Sequence, residues 1–286
     1  MATIRDLKTR IKAVNNIAKI TRAMEMVATT KLKRFQERAV QSRPYTLEIE
    51  GLVKNLAAHV GQEEHPLFDA REGKRTGLLV VTSDRGLCGA YNSFIFQKLR
   101  EFQVESAGCE LEYHVIGRKG MSYLRRRGTE VAAYFEDPPL ERMGYRDAAR
   151  IAQIFVEKFL ASELDEVKVL YTAFMSMSRY VPTVFRLLPL SGVGDPDAVR
   201  KDYILEPSPE RIFTSLLPKY LETRMFNMLI ESLTSEYASK RISMKNATDA
   251  ATEMGGTLKL KYNRARQEKI TKELLELVGG AEALKG

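Results

Sequence analysis

The first 58 residues or so carry an apolar pattern that predicts one long helix. Proline is absent until Pro44 and glycine until Gly51. Apolar residues recur at steps of three and four, with a mean near the ~3.5 residues that mark a coiled-coil seam. The predicted seam residues are Ile4, Leu7, Ile11, Val14, Ile17, Ile20, Met24, Ala28, Leu32 and Phe35. At ~1.5 Å per residue such a helix extends on the order of 80 Å, so it needs a long partner.

A second helical pattern, from about Pro209 to Leu284, supplies that partner. Pro218 is expected to start, kink or break this helix locally. Gly255-Gly256 indicates a soft spot or a point of close backbone contact, since glycine costs ~1 kcal/mol in a helix interior. The heptad positions of this second helix are small or apolar: Ala247, Ala251, Met254, Leu258 and Ala265. The two patterns together predict an antiparallel two-helix coiled coil formed from both chain ends.

The segment between the two long helices alternates strand and helix patterns. The predicted strands are Gly77–Thr82, Leu111–Ile116, Val131–Phe135, Glu166–Ala173 and Thr183–Pro189, and the predicted helices are Ala90–Phe102, Gly117–Gly128 and Tyr145–Leu160. This alternation predicts a Rossmann-like α/β domain with a largely parallel sheet, the last two strands forming a pair. The fold class is therefore α/β with long terminal helices, divided into residues 1–60, 77–190 and 209–286.

Charge and composition narrow the function classes. The net charge is +8, and the first 40 residues hold ten Lys or Arg against three acids. An acidic partner for this segment is one interpretation (nucleic acid, a lipid surface or an acidic protein cavity), and a solvated helix face is the other. Two cysteines and three histidines match no disulfide framework or zinc pattern. No apolar run is long enough for a membrane helix or a signal peptide, so we expect a reducing, cytoplasmic compartment.

The turn between the first strand and its helix, residues 82–92, is the best candidate for chemistry, because ligands gather there in open α/β sheets. It lacks the glycine pattern of a dinucleotide-binding or P-loop motif. Cys88 is a candidate nucleophile, but a packed thiol on a tight turn is the favoured interpretation. Asp84 and Arg85 are expected to cap the following helix. We therefore predict no catalytic residues, no metal site and no cofactor.

Several longer motifs resemble the gamma subunit of F-type ATP synthases. At the N-terminus the motif is residues 17–33, IAKITRAMEMVATTKLK. The C-terminal motifs are ESLTSE at 231–236, MKNATD at 244–249, YNRARQ at 262–267, ITKEL at 270–274 and GGA at 279–281. The central SDRGLCG at 83–89 is similar as well, so the resemblance spans the whole chain. Tyr237, Lys240-Arg241 and Ala250 depart from the family pattern.

The resemblance implies a rotor shaft that couples ion-driven rotation of the membrane c-ring to conformational cycling of the catalytic beta subunits. It implies a peripheral location on the cytoplasmic face of the bacterial inner membrane, with one copy per complex and no nucleic acid. The implied contacts to alpha and beta are Arg266 and Gln267, together with Met24, Lys19 and Arg22 on the facing part of the N-terminal helix. Tyr203 and Glu206 are the implied contacts to epsilon and the c-ring. Met24 as plain seam packing and Lys19 as a solvated side chain remain open.

Two other functions remain as alternatives at this point. A nucleic-acid-binding coiled coil would use the basic first 40 residues, although these contain no aromatic residue for base stacking before Phe35. A small α/β enzyme would use Asp84, Arg85 and Cys88.

Overall fold

The computed structural model describes residues 3–60, 65–71, 73–190, 206 and 208–283. Its elements in chain order are α1 (Ile4–Val60), a 3-10 helix (Pro66–Phe68), β1 (Arg75–Val81), α2 (Tyr91–Glu105), β2 (Glu110–Ile116), α3 (Arg118–Arg126), β3 (Ala133–Phe135), a 3-10 helix (Leu140–Arg142), α4 (Tyr145–Leu160), β4 (Glu166–Phe174), β5 (Tyr180–Leu188) and α5 (Pro209–Ala283). Two long helices therefore flank a central α/β segment, which confirms the predicted fold class.

The five strands form one sheet in the order β3-β2-β1-β4-β5. The first four run parallel, and β5 pairs antiparallel with β4, as the strand pair in the sequence predicted. Every residue of β1 after Arg75 is buried, as expected for a central strand covered on both faces. On one face Leu78 and Val80 belong to the same buried cluster as Ile95 and Leu99 of α2.

The chain divides into two compact units, each containing parts of both long helices. The helix-pair unit takes residues up to Ala28 and those from Lys240 onwards, and the sheet unit takes Thr29–Ser239. In the sheet unit the two helices also run antiparallel. Ser42 Oγ donates to Asn227 Oδ1 at 3.4 Å, and Arg224 Nη1 lies 2.9 Å from Glu50 Oε1. Positions later in α1 therefore meet positions earlier in α5.

The α5 helix passes through Pro218 without beginning or ending there, so the expectation of a start or break at this residue was wrong. A proline in a helix interior costs about 3 kcal/mol, and packing must offset that cost. The flanking residues Phe213, Leu217 and Leu221 are all buried. Burial of a large apolar side chain contributes about 1.5–3 kcal/mol, so these three are enough to hold the helix together at the proline.

Tyr237, one of the departures from the family pattern, is buried in the sheet unit. Its hydroxyl donates to Glu141 Oε2 at 2.7 Å, and the centroid of its ring lies 5.4 Å from the centroid of the Phe35 ring. Lys31 also pairs with Glu141. Burial raises the pKa of the Tyr237 phenol well above its usual value, so the side chain stays neutral and donates this hydrogen bond.

A buried histidine lies at the centre of another polar cluster in the sheet unit. His114 on β2 bonds through Nε2 to Glu112 Oε1 at 2.6 Å, and Lys158 reaches the same oxygen at 2.7 Å. Burial lowers the pKa of His114 despite the opposing effect of Glu112, so the ring is neutral and Nε2 carries the proton. Among the described residues Nδ1 has no hydrogen-bond partner, and the ring packs against Phe155 at 4.7 Å.

This cluster predicts an acid-sensitive sheet unit. Because the folded pKa of His114 lies below its unfolded value of about 6.5, the unfolded state binds more protons as the pH falls through 6.5. The free energy of unfolding should therefore decrease below that pH. Chemical denaturation between pH 8 and 5 measures this decrease, and His114→Phe should reduce it. An equal pH slope in the variant and the unsubstituted chain would contradict the assignment.

Candidate partner-contact surfaces

Two contacts fix the register between α1 and α5 in the helix-pair unit. Thr248 Oγ1 donates to Thr21 Oγ1 at 2.8 Å. A Cβ placed on Gly255 would lie 3.8 Å from Val14 Cγ1. Val14 comes seven residues before Thr21, and Gly255 comes seven residues after Thr248, so the two helices are antiparallel with matched heptads. The close contact expected at Gly255 is confirmed, while Gly256 has no neighbour of that kind within 4 Å.

The seam combines apolar residues with small and polar ones. Its buried and half-buried positions include Leu7, Ile11, Val14, Ala18, Thr21, Glu25 and Ala28 on α1, and Met244, Thr248, Ala251, Gly255, Leu258 and Tyr262 on α5. Ile17, Ile20 and Met254 were predicted on the seam, but they are 51%, 60% and 56% exposed. The prediction took the bulkier residue at each of these turns, whereas the heptad phase continues through its smaller neighbour.

Ile17 and Ile20, which the sequence had placed on the seam, belong instead to a second apolar stripe on α1. Ile17, Ile20, Met24 and Val27 are spaced by three, four and three residues, which places them on one helix face. Ile17, Ile20 and Val27 are each more than half exposed, and Met24 is half-buried. Met24 therefore borders the seam and also reaches the surface, and its contact with alpha or beta stays a prediction.

The predicted contact residues separate into two groups. Lys19 and Arg22 are exposed on α1, and Arg266 and Gln267 are exposed on α5. The register places Arg22 level with residue 247, which is 19 residues before Arg266, or about 28 Å at the helical rise. The resemblance implied that Arg266 lies opposite Lys19, Arg22 and Met24. The register shows instead that Arg266 is well beyond these residues along α5.

The part of α5 after Ala265 has no covering helix among the described residues. The same register makes Ala265 level with Ile4, the first residue of α1, and residues 266–280 are all exposed. Ile270, Leu274 and Leu277 nevertheless follow a four–three spacing on one face. Sequence reasoning counted these residues as part of the helical pattern but missed their exposure, which matching the heptads of the two helices would have revealed.

The turn after β1 is filled by the chain itself. At the first turn of α3, the amides of Arg118, Lys119 and Gly120 donate to Asp84 Oδ1, the Ser83 carbonyl and Thr82 Oγ1. Backbone amides at a helix N-terminus can hold a phosphate, and here oxygens of the chain itself accept from all three. Asp84 therefore caps α3. The α2 helix begins at Tyr91, and its N-cap residue Ala90 makes no side-chain cap, so the predicted cap on the following helix was wrong.

Cys88 is a buried core residue on this turn, as the favoured interpretation expected. Its Sγ lies 3.3 Å from Asn92 Nδ2, and the same amide nitrogen donates to Ser83 Oγ at 2.7 Å. Arg85 is exposed. No group of three or more potential metal ligands occurs in the described part of the chain.

The remaining predicted contacts, Tyr203 and Glu206, precede α5 in the sequence. Glu206 is exposed, and Tyr203 lies outside the described residues. Within the described ranges, no helix combines the length and the hydropathy needed to cross a membrane.

Comparisons with known proteins agree with one another. A family model described as ATP synthase matches residues 3–284. The ATP synthase gamma chain of Dehalococcoides mccartyi is 40% identical over 286 residues, covering 99% of this chain and 100% of that protein. The gamma chain of Geobacter sp. strain M21 is 41% identical over 289 residues, with both chains covered completely.

Solved structures show the same fold at lower identity. The rotor of the Euglena gracilis mitochondrial ATP synthase matches with a TM-score of 0.65 at 16% identity, over 93% of this chain and 98% of that one. The central stalk and c-ring structure from Tetrahymena thermophila matches with a TM-score of 0.55 at 24% identity, over 80% and 99%. From the family model and the full-length relatives, the chain belongs to the ATP synthase gamma-chain family and is a non-catalytic stalk subunit.

Proposed function

We propose that this chain is the central rotor shaft of an F-type ATP synthase, coupling ion-driven rotation of the c-ring to conformational cycling of the catalytic beta subunits. One copy per complex binds alpha, beta, epsilon and the c-ring, as a peripheral protein on the cytoplasmic face of the bacterial inner membrane. The names of the full-length relatives support this proposal. None of the comparisons supports the nucleic-acid-binding alternative.

The observation that carries the proposal is the uncovered end of α5. An exposed helix with apolar Ile270, Leu274 and Leu277 on one face is unfavourable in water unless a partner covers that face. The adjoining residues 259–272 hold six Lys or Arg and one acid. The proposed partner surface is therefore apolar around the tip of α5 and acidic around residues 259–272, as a cavity formed by alpha and beta subunits would provide.

Arg266 and Gln267 are the proposed grip on a loop of beta. The guanidinium of Arg266 has five donors in a fixed fork that suits a carboxylate, and Gln267 adds an amide beside it. Hydrogen bonds to charged groups are worth about 1.5–3 kcal/mol each, strong enough to hold one rotary state and weak enough to break at the next step. Lys19, Arg22 and Met24 form a second proposed contact about 28 Å farther along the pair. Glu206 and Tyr203 remain proposed contacts to epsilon and the c-ring.

Co-expression with alpha and beta tests the proposal. We expect a complex of three alpha, three beta and one copy of this chain that hydrolyses ATP, whereas the purified chain alone hydrolyses none. The ratio is measured by native mass spectrometry and the activity by phosphate release. Turnover by the isolated chain, or a failure to co-purify with alpha and beta, would contradict the proposal.

A further inference from the structure

The carboxyl end of β4 extends past its neighbour in the sheet. β1 pairs with β4 only from Thr76 opposite Glu166 to Val80 opposite Leu170, whereas β4 continues to Phe174. On the other side of β4, Thr172 lies opposite Pro182, which has no N–H to donate. Since Thr172 is fully buried, its backbone groups need hydrogen-bond partners from another element.

The α5 helix supplies these partners through serine side chains. Ser232 Oγ accepts from the Thr172 N–H at 3.2 Å, and Ser235 Oγ donates to the Thr172 carbonyl at 3.2 Å. Ser239 Oγ donates to the Cys88 carbonyl at 2.6 Å and accepts from Tyr180. We call Ser232, Ser235 and Ser239 the serine clasp.

The clasp differs in kind from the apolar packing around it. Its serines are spaced by three and four residues, so they occupy one face of α5, and all three are buried. Apolar packing is non-directional and permits small rotations of a helix, whereas hydrogen bonds weaken steeply when their angles change. Rotation of α5 about its own axis would pull both hydroxyls away from Thr172 and leave buried polar groups without partners, which is costly.

We propose that the serine clasp is the joint that transmits torque between α5 and the sheet, with Ser232 and Ser235 as positioning residues. This inference rests on the proposed rotor function. α5 is one helix from Pro209 to Ala283, so torque applied near Arg266 travels along its backbone. At the clasp, the torque passes through directional bonds into β4, and β4 is hydrogen-bonded to strands on both sides.

Torsional stiffness in the assembled complex tests the proposal. Cys109 is exposed and Cys88 is buried, so a bead can be attached at Cys109 when the other subunits carry no accessible cysteine. With the alpha–beta ring fixed and no ATP present, the angular variance of the bead measures the stiffness of the path through the joint. We expect the double variant S232A/S235A to raise this variance by about twofold, because two directional bonds are lost.

The matched control is Thr234→Val. Thr234 is also buried on α5, but its hydroxyl bonds to the Ile230 carbonyl of its own helix at 2.7 Å. This variant should leave the variance unchanged, whereas a general loss of packing would raise it in both variants. If S232A/S235A does not assemble, Ser235→Ala alone removes the bond to the Thr172 carbonyl and the same comparison applies.

The outcomes separate the two proposals. If the unsubstituted complex does not rotate the bead on ATP, the rotor function itself fails. If that complex rotates and the assembled serine variant has the unsubstituted variance, the clasp is not the torque-bearing joint. Rotation on ATP together with a variance increase confined to the serine variants supports both.

Discussion

Arg266→Ala is expected to lower the ATP turnover of the assembled complex by roughly tenfold or more. The side chain is exposed and lies in the segment of α5 that no other described helix covers, so we expect its effect on turnover to come through the proposed contact with beta. Loss of a charge-assisted hydrogen bond worth about 1.5–3 kcal/mol changes a rate or an equilibrium by at least about tenfold. Phosphate release at saturating ATP measures the effect, and thermal unfolding of the isolated chain should not change.

Two further variants make this result specific to a bidentate contact with beta. Arg264 is also exposed, two residues away, but it pairs with Glu268 of its own helix at 3.1 Å. Arg264→Ala should therefore cost only about 0.3–0.5 kcal/mol in helix stability and little turnover. Arg266→Lys keeps the charge without the fork and should give an intermediate rate. Equal losses of ATP turnover in the Arg264 and Arg266 variants would indicate a general charge effect and would contradict a specific contact between Arg266 and beta.

The long helices and the succession of strands and helices along the chain were predictable because their signals are local and repeated. α1 shows steps of three and four over dozens of residues, and α4 was predicted with both ends correct, Tyr145 and Leu160. β5 was placed three residues too short at its start, because its early residues alternate less clearly than the buried Leu187 and Leu188.

The contact surfaces were less predictable, because they depend on which residues of α1 are covered by α5. Ile17 and Ala18 are neighbours, and only the register with α5 decides that the alanine is covered and the isoleucine exposed. Asp84 is a similar case. It caps α3, whose first residue is 34 positions farther along the chain, and a search for caps next to the residue cannot find such a contact.

The ESLTSE segment shows the same limit for a motif whose presence was recognised. Its residues supported the resemblance, but their use depends on the end of β4, 60 residues away from Ser232. β4 extends several residues beyond the last residue that pairs with β1. This follows from the register between the two strands, which the sequence pattern of one strand does not contain. Polar residues inside a buried helix face are therefore best understood from the backbone groups opposite them.

Gly255→Leu is expected to destabilise the helix-pair unit, whereas Gly256→Leu should stabilise it. A Cβ at Gly255 would already lie 3.3 Å from Asn15 Oδ1 and 3.8 Å from Val14 Cγ1, so the larger leucine side chain would displace Asn15 and crowd Val14. Overpacking typically costs about 1–3 kcal/mol. That cost outweighs the gain of up to ~1 kcal/mol from removing a helical glycine. At Gly256 nothing lies within 4 Å, so only the gain remains.

The opposite signs at adjacent positions make the comparison independent of helix propensity. Thermal melting followed by helical circular dichroism should show a lower midpoint for the Gly255 variant and a higher one for the Gly256 variant. Gly255→Ala should be tolerated, because the nearest atom belongs to the flexible end of the exposed Asn15 side chain. If both leucine variants raised the midpoint, α1 and α5 would not be in close contact at this turn. The register built on Thr21 and Thr248 would then be wrong, and with it the separation of Arg22 from Arg266.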